Sequence, residues 1–149
     1  MRFPDRLRTR IGFIIIFVLL ALLYGLAMVV SGFWLGKDGV NGIIGASLGA
    51  AVSALVLWPR HGRSASRMTI LGIILMGLIV WFAFTAIGFL SEREITSRAG
   101  AGGNGVMSFL GSLIIGTVIG LFSVIKQLGL PLGMGAAVGF MFREKLSDD

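Results

Sequence analysis

Apolar residues occur in this chain as five long runs without charge, separated by short polar segments. The runs cover residues 11–36, 39–59, 68–91, 99–125 and 127–142. A helix needs roughly 20 apolar residues to span a bilayer core about 30 Å thick, and the first four runs reach that length. None of them alternates between polar and apolar residues as membrane β-strands do. The pattern therefore predicts four transmembrane α-helices and a shorter fifth segment.

The predicted helices cover about residues 11–34, 40–58, 68–90 and 106–125. The second helix ends before Pro59, which has no backbone N–H donor to continue it. Together with segment 127–142 they form one membrane domain, flanked by a basic N-terminus at 1–10 and a polar tail at 143–149. The predicted fold is an all-α integral membrane protein, a bundle of four transmembrane helices with a short Gly-rich fifth helix or re-entrant segment.

The fifth segment is compatible with two topologies. At a rise of 1.5 Å per residue, 127–142 extends only about 24 Å as a helix, and Pro131 and its glycines weaken it. The apolar stretch 136–142 favours a short tilted helix that crosses, which would place the tail on the side opposite the N-terminus. The cations Arg143 and Lys145 favour re-entry, which would keep both ends on one side. We expect the crossing path by a narrow margin.

Composition excludes several protein classes. Hydrophobic residues make up 56% of the 149, and charged residues only 13%, against about 25% in soluble domains. A water-facing surface cannot be built from this chain, so it is not a soluble globular protein, a disordered tail or a nucleic-acid-binding domain. The chain contains no cysteine, which excludes disulfides and thiolate metal sites.

The positive charges predict an orientation. Lys and Arg are concentrated in segments 1–10 and 60–67, and cytoplasmic loops carry such an excess. We therefore expect a multi-pass protein of the inner membrane with a cytoplasmic N-terminus. On this topology Lys126 also lies on the cytoplasmic side. The cations expected at anionic lipid head groups are Arg2, Arg6, Arg8, Arg10, Arg60, Arg63 and Arg67.

Aromatic residues mark the predicted helix ends. Phe33 and Trp34 lie near the end of the first predicted helix, and Trp58 lies near the end of the second. Aromatic side chains are enriched where a membrane meets water. The sequence therefore predicts these three at the interfaces, whereas Trp81 in mid-helix is expected to pack or to face lipid.

Small residues recur every four positions on two predicted helices, so that each set lies on one helix face. The second helix carries Gly45, Gly49 and Ser53, and the fourth carries Ser108, Ser112, Gly116 and Gly120. Small residues let transmembrane helices approach closely. We expect these stripes to pack the helices of one molecule together. The alternative is that the stripe of the fourth helix contacts another subunit or lines a pore.

One short pattern occurs twice, as Leu-Gly-Ala-Ala-Val at residues 48–52 and Met-Gly-Ala-Ala-Val at 134–138. Many transporters are built from two related halves with Gly-interrupted helices in matching positions. Five positions in Gly- and Ala-rich sequence also agree by chance. Whether this is a true repeat stays open.

Candidate catalytic residues are sparse. No Asp, Glu, Lys, Arg or His lies inside a predicted span, which argues against proton-coupled or charge-moving transport. His61 has neither a second imidazole nor a thiolate with which to share a metal. Glu92 and Glu94 are interleaved with Arg93 in a solvated turn. We therefore predict no catalytic site, no metal site and no cofactor.

These features predict a non-enzymatic membrane protein. The expected function is a helix-packing subunit or accessory factor of a membrane assembly, in contact with lipid and with other membrane helices as a homo- or hetero-oligomer. The alternative is a homo-oligomeric pore or a small uncoupled transporter lined by the Ser/Gly face of the fourth helix. No nucleic acid partner is expected.

Overall fold

The computed structural model describes residues 4, 9–60, 62–98, 105–127 and 129–143, except for the side chains of 91–98, 105 and 108. The described chain is all-helical, as the sequence predicts. Its five helices are α1 (Arg10–Val30), α2 (Lys37–Leu57), α3 (Ala65–Arg98), α4 (Gly105–Lys126) and α5 (Leu130–Met141). All except α5 contain a stretch long and apolar enough to cross a membrane.

Helix α3 is the centre of the arrangement. It packs against α2, α4 and α5, and α1 packs against α2. Its 34 residues extend about 51 Å. It continues to Arg98, beyond the predicted end at Leu90, because neither glycine nor proline interrupts residues 89–99.

Helix α1 ends at Val30, four residues before the predicted end. Gly32 adopts a φ of +80°, in the left-handed region that favours glycine. The chain then folds back, and the Phe33 N–H donates to the Met28 carbonyl at 3.0 Å. This turn brings Trp34 into the core, where its ring centroid lies 5.7 Å from that of Phe84. Trp34, which the sequence predicts at a membrane interface, is thus buried inside the bundle at the end of α1.

The N-terminal end of the bundle is closed by aromatic rings. Phe13 is fully buried, and its ring centroid lies 5.0 Å from that of Trp58 and 5.0 Å from that of Phe142. Arg10 Nη2 donates to the Leu55 carbonyl at 2.8 Å. This bond satisfies one of the carbonyls that the end of α2 leaves without a helical partner.

Helices α4 and α5 run one after the other along α3. Their contacts fall on α3 residues of steadily decreasing number. The successive pairs are Phe109 with Phe89, Gly116 with Thr85, Thr117 with Trp81, Gly135 with Gly72, and Gly139 with Met68. Both helices are therefore antiparallel to α3, and together they cover its length.

A sharp turn separates α4 from α5. Gly129 adopts a φ of +68°, again in the left-handed region, and caps the start of α5. Pro131 follows in the first turn of α5, where its fixed φ suits a helix and its missing N–H costs nothing. The chain thus changes direction locally and then continues along α3.

This path differs from the predicted one. Lys126 was expected at the same end as the N-terminus, but its Nζ lies 5.4 Å from the Phe33 ring centroid, at the opposite end. Phe142, after α5, packs on Phe13 near the start of α1. The fifth segment therefore returns the chain to its N-terminal end instead of leading it away. The sequence could not show this, because a cation at the end of a helix is compatible with either end of the bundle.

Candidate functional site

The small-residue stripe of α2 faces α3. A Cβ at Gly45 would lie 2.5 Å from the Ala86 Cβ, and one at Gly49 would lie 2.6 Å from the Phe82 Cβ. Such distances are shorter than carbon atoms tolerate, so only glycine allows this approach. Ser53, the third member, is buried. The structure thus brings this stripe into contact within one molecule.

The stripe of α4 also faces α3. A Cβ at Gly116 would lie 2.9 Å from the Thr85 Cα, whereas one at Gly120 would lie 3.8 Å from the nearest Phe84 atom. Ser112 is fully buried. The side chain of Ser108 lies outside the described residues. As described, α3 covers this face at Ser112 and Gly116.

A polar contact reinforces the α3–α4 packing. Trp81 Nε1 donates to Thr117 Oγ1 at 2.8 Å, and Thr117 in turn donates to the Leu113 carbonyl at 2.7 Å. Hydrogen bonds between membrane helices contribute about 0.6 kcal/mol on average. Trp81 therefore packs between helices, one of the two roles expected from the sequence.

The tightest contact involves glycines of α5 for which the sequence predicted no packing role. Gly135 and Gly139 lie against Gly72 of α3, and a Cβ at Gly139 would lie 3.0 Å from the Gly72 Cα. A Cβ at Gly135 would meet Met76 Cβ at 2.6 Å. The four-residue spacing of Gly135 and Gly139 was the signal that could have revealed this contact.

The repeated pattern places one glycine of each copy against α3. Gly49, in 48–52, contacts Phe82, and Gly135, in 134–138, contacts Gly72. Helices α2 and α5 are both antiparallel to α3. The two copies thus meet the central helix in the same direction, which is what a repeat would give, although shared packing chemistry accounts for it equally.

A crevice opens between the C-terminal end of α4, the end of α1, and α3. Its volume is about 540 Å³. Small-molecule sites commonly have volumes of about 300–1,000 Å³. Six of the residues that line it are Met28, Trp34, Phe84, Phe122, Lys126 and Gln127.

Two buried polar atoms at this crevice have no hydrogen-bond partner among the described residues. Gln127 Nε2 donates to the Met28 sulfur at 3.0 Å, and sulfur is a weak acceptor. The Gln127 Oε1 and the Trp34 Nε1 are buried and have no hydrogen-bond partner among the described residues. Buried polar groups are normally paired, so these two stand out. The sequence did not reveal this cluster because its members come from separate segments.

The opposite end of the molecule is basic. Arg63 stacks over Trp58 with its guanidinium carbon 5.2 Å from the ring centroid, and Arg143 lies 3.8 Å from that of Phe140. Arg10, Arg60, Arg63, Arg67 and Arg143 all lie at this end, and the described residues there include no acid. Arg2, Arg6, Arg8 and His61 lie outside the described residues.

The described residues include no group of three His, Cys, Asp or Glu side chains that could hold a metal ion. Comparison of the chain with protein-family models, with curated proteins and with solved structures finds no match. The class that the fold defines is an all-helical chain with four helices long and apolar enough to cross a membrane.

Proposed function

We propose that the protein is a non-enzymatic, multi-pass protein of the inner membrane that acts as a helix-packing subunit or accessory factor of a larger assembly. The observation that carries this proposal is the exposure of α4. Only 17% of its most apolar stretch, Phe109–Lys126, is buried, against 39% in each of the other three candidate spans. The helix thus contributes little to the interior of its own molecule.

The exposed face of α4 is the surface proposed to meet a partner. It lies opposite the small-residue stripe and carries Met107, Ile114, Val118 and Leu121, all exposed. Along its length α4 packs mainly against one helix, α3. An apolar transmembrane helix of a second subunit would add the van der Waals contacts that hold helices together in lipid.

The proposed topology has four crossings. Helices α1, α2 and α3 each cross once, and α4 with α5 together make the fourth crossing, so both chain ends share one side. The described cations support a cytoplasmic location for that side, since five arginines lie at the N-terminal end and four cations, Lys37, Arg93, Arg98 and Lys126, lie at the other.

Photo-crosslinking in native membranes tests the assembly role. A benzoyl-phenylalanine at Ile114 on α4, which is 67% exposed, should give a protein adduct of discrete mass. The matched control is Leu23 on α1, which is 60% exposed and should react with lipid only. The role is contradicted if Ile114 also gives lipid adducts alone and the protein is strictly monomeric in mild detergent.

A small uncoupled transporter is the second candidate, supported by the break between α4 and α5. Discontinuous helices line substrate sites in many transporters. The substrate pathway would then be lined by residues around the break at Gly129, since α3 covers the Ser/Gly face of α4. Liposomes holding only the purified protein should release a small entrapped solute. Retention of every solute tested would exclude this candidate.

A further inference from the structure

We propose that the crevice at the C-terminal end of α4 binds the anionic head group of a lipid together with part of an acyl chain. The inference rests on the membrane placement proposed above and is independent of the partner at α4. It draws on the cation, the unpaired polar atoms and the apolar rim of the crevice.

Lys126 supplies the charge. Its side chain is exposed, and its Nζ lies over the Phe33 ring. No carboxylate lines the crevice in the described part of the chain. Asp38, in the first turn of α2, is at the same end of the molecule but is not part of the lining. An ammonium group beside apolar surface, without an acid, favours an anion carried by a lipid.

Trp34 and Gln127 supply hydrogen bonds. Trp34 is 3% exposed, and its Nε1 is a donor without an acceptor. A phosphate or carboxylate oxygen would satisfy it. Gln127 Oε1 is an acceptor without a donor, and a head-group hydroxyl would satisfy that atom. Unpaired buried groups lower stability, so a ligand that pairs them gains affinity.

The rim of the crevice is open to lipid. Phe122 and Ile125 are 68% and 62% exposed and can contact an acyl chain. The crevice also lies at the end of α1, whose 21 residues extend about 31 Å, close to the thickness of the bilayer core. The head group would then lie at the Lys37 end of α1, with the acyl chain along Phe122 and Ile125.

Native mass spectrometry of the purified protein in nonionic detergent tests the proposal. The probes are phosphatidylglycerol, a long-chain fatty acid and phosphatidylcholine. Tighter binding of phosphatidylglycerol identifies a phosphate head group, and tighter binding of the fatty acid identifies a carboxylate; either result supports the proposal. Equal binding of phosphatidylcholine and both anionic lipids overturns it.

Two variants locate the site. Lys126→Gln should weaken anionic lipid binding about tenfold or more, because a charged hydrogen-bond partner is lost. Lys37→Gln, which removes a cation outside the crevice at the same end, should leave binding unchanged. Trp34→Phe removes the unpaired N–H and should weaken binding several-fold, and the cavity that the smaller ring leaves beside Tyr24 and Phe84 should also lower the Tm. Parent-like affinity of Lys126→Gln overturns the assignment.

A failure of lipid binding would leave the assembly proposal intact, because the crosslinking experiment probes the outer face of α4 and not this crevice. A missing protein adduct at Ile114 would likewise leave the affinity of the purified protein for lipid unaffected. The two experiments therefore give separate answers.

Discussion

Gly116 and Gly120 belong to the same stripe of α4, but α3 leaves them different amounts of room. Their spacing makes them equivalent in the sequence. In the structure, a Cβ at Gly116 would lie 2.9 Å from the Thr85 backbone, and one at Gly120 would first meet Phe84 at 3.8 Å, an ordinary contact distance. Small-residue spacing predicts which face packs, and the neighbouring helix decides which position tolerates a methyl group.

Gly116→Ala should therefore destabilise the protein. The added methyl group has no space against the Thr85 backbone, and overpacking of this kind costs about 1–3 kcal/mol. Gly120→Ala is the control and should have little effect. The Tm of each purified variant in the same detergent provides the measurement. Equal Tm values for the two variants would contradict the described α3–α4 contact.

Trp34 shows at the same scale what the sequence left open. Its position near the end of an apolar run indicated an interfacial residue. The left-handed turn at Gly32 instead directs the chain back, and the indole packs between Tyr24 and Phe84. A single residue type is compatible with both environments, so the turn geometry determines which one it occupies.

At the scale of elements, apolar run length predicted the helices well and their ends less well. Length and the absence of alternation follow from the cost of unpaired backbone groups in lipid. Ends depend on local features such as the φ of Gly32 or Gly129, and on packing. Helix α5 is the clearest example, because glycines that weaken a helix in water form its contact with α3.

Gly135→Ala should detach or displace α5. A Cβ there would collide with the Gly72 carbonyl and lie 2.6 Å from Met76 Cβ, whereas nothing lies within 4 Å of one at Gly133. We expect Gly135→Ala to lower the Tm by the equivalent of about 1–3 kcal/mol and Gly133→Ala to leave it unchanged or slightly higher.

Protease accessibility of α5 in detergent adds a second measurement for this pair. Faster cleavage near α5 in Gly135→Ala alone supports the Gly72 contact. Cleavage that is identical in both variants, together with identical Tm values, would show that α5 is held elsewhere.

At the scale of the whole molecule, the serial arrangement of α4 and α5 places the end of α5 beside the start of α1, where Phe142 packs on Phe13. The chain has no cysteine, so single cysteines can report sidedness without background. In oriented vesicles, Ser64→Cys and Ser147→Cys should react with an impermeant maleimide from the same side, and Lys37→Cys from the other. Ser147 comes four residues after Arg143, which lies at the basic end of the molecule.

Reaction of Ser147→Cys from the side of Lys37 would show instead that the fifth segment crosses on its own, which was the narrowly favoured expectation from the sequence. Reaction of all three cysteines from both sides would indicate leaky vesicles, which a cysteine-free parent with an entrapped dye detects. The two topologies are therefore distinguished by whether Ser64→Cys and Ser147→Cys react from the same side of the membrane.

The sequence by itself determined the class of this protein. Five apolar runs, with charge confined between them, leave only a helical chain suited to lipid, because no water-soluble surface can be made from them. It also determined which helix faces carry small residues. These properties depend on composition and local spacing, which are readable along one chain.

Only the tertiary structure determined the path of the chain through α4 and α5 and the residues that surround the C-terminal end of α4. The contacts of α4 and α5 with successive parts of α3 place Lys126 beside Phe33, and the turn after α1 brings Trp34 to the same crevice. Those residues are far apart in sequence and carry no shared spacing. Their proximity results from close approach at glycines and from two left-handed turns, which depend on the whole packed bundle.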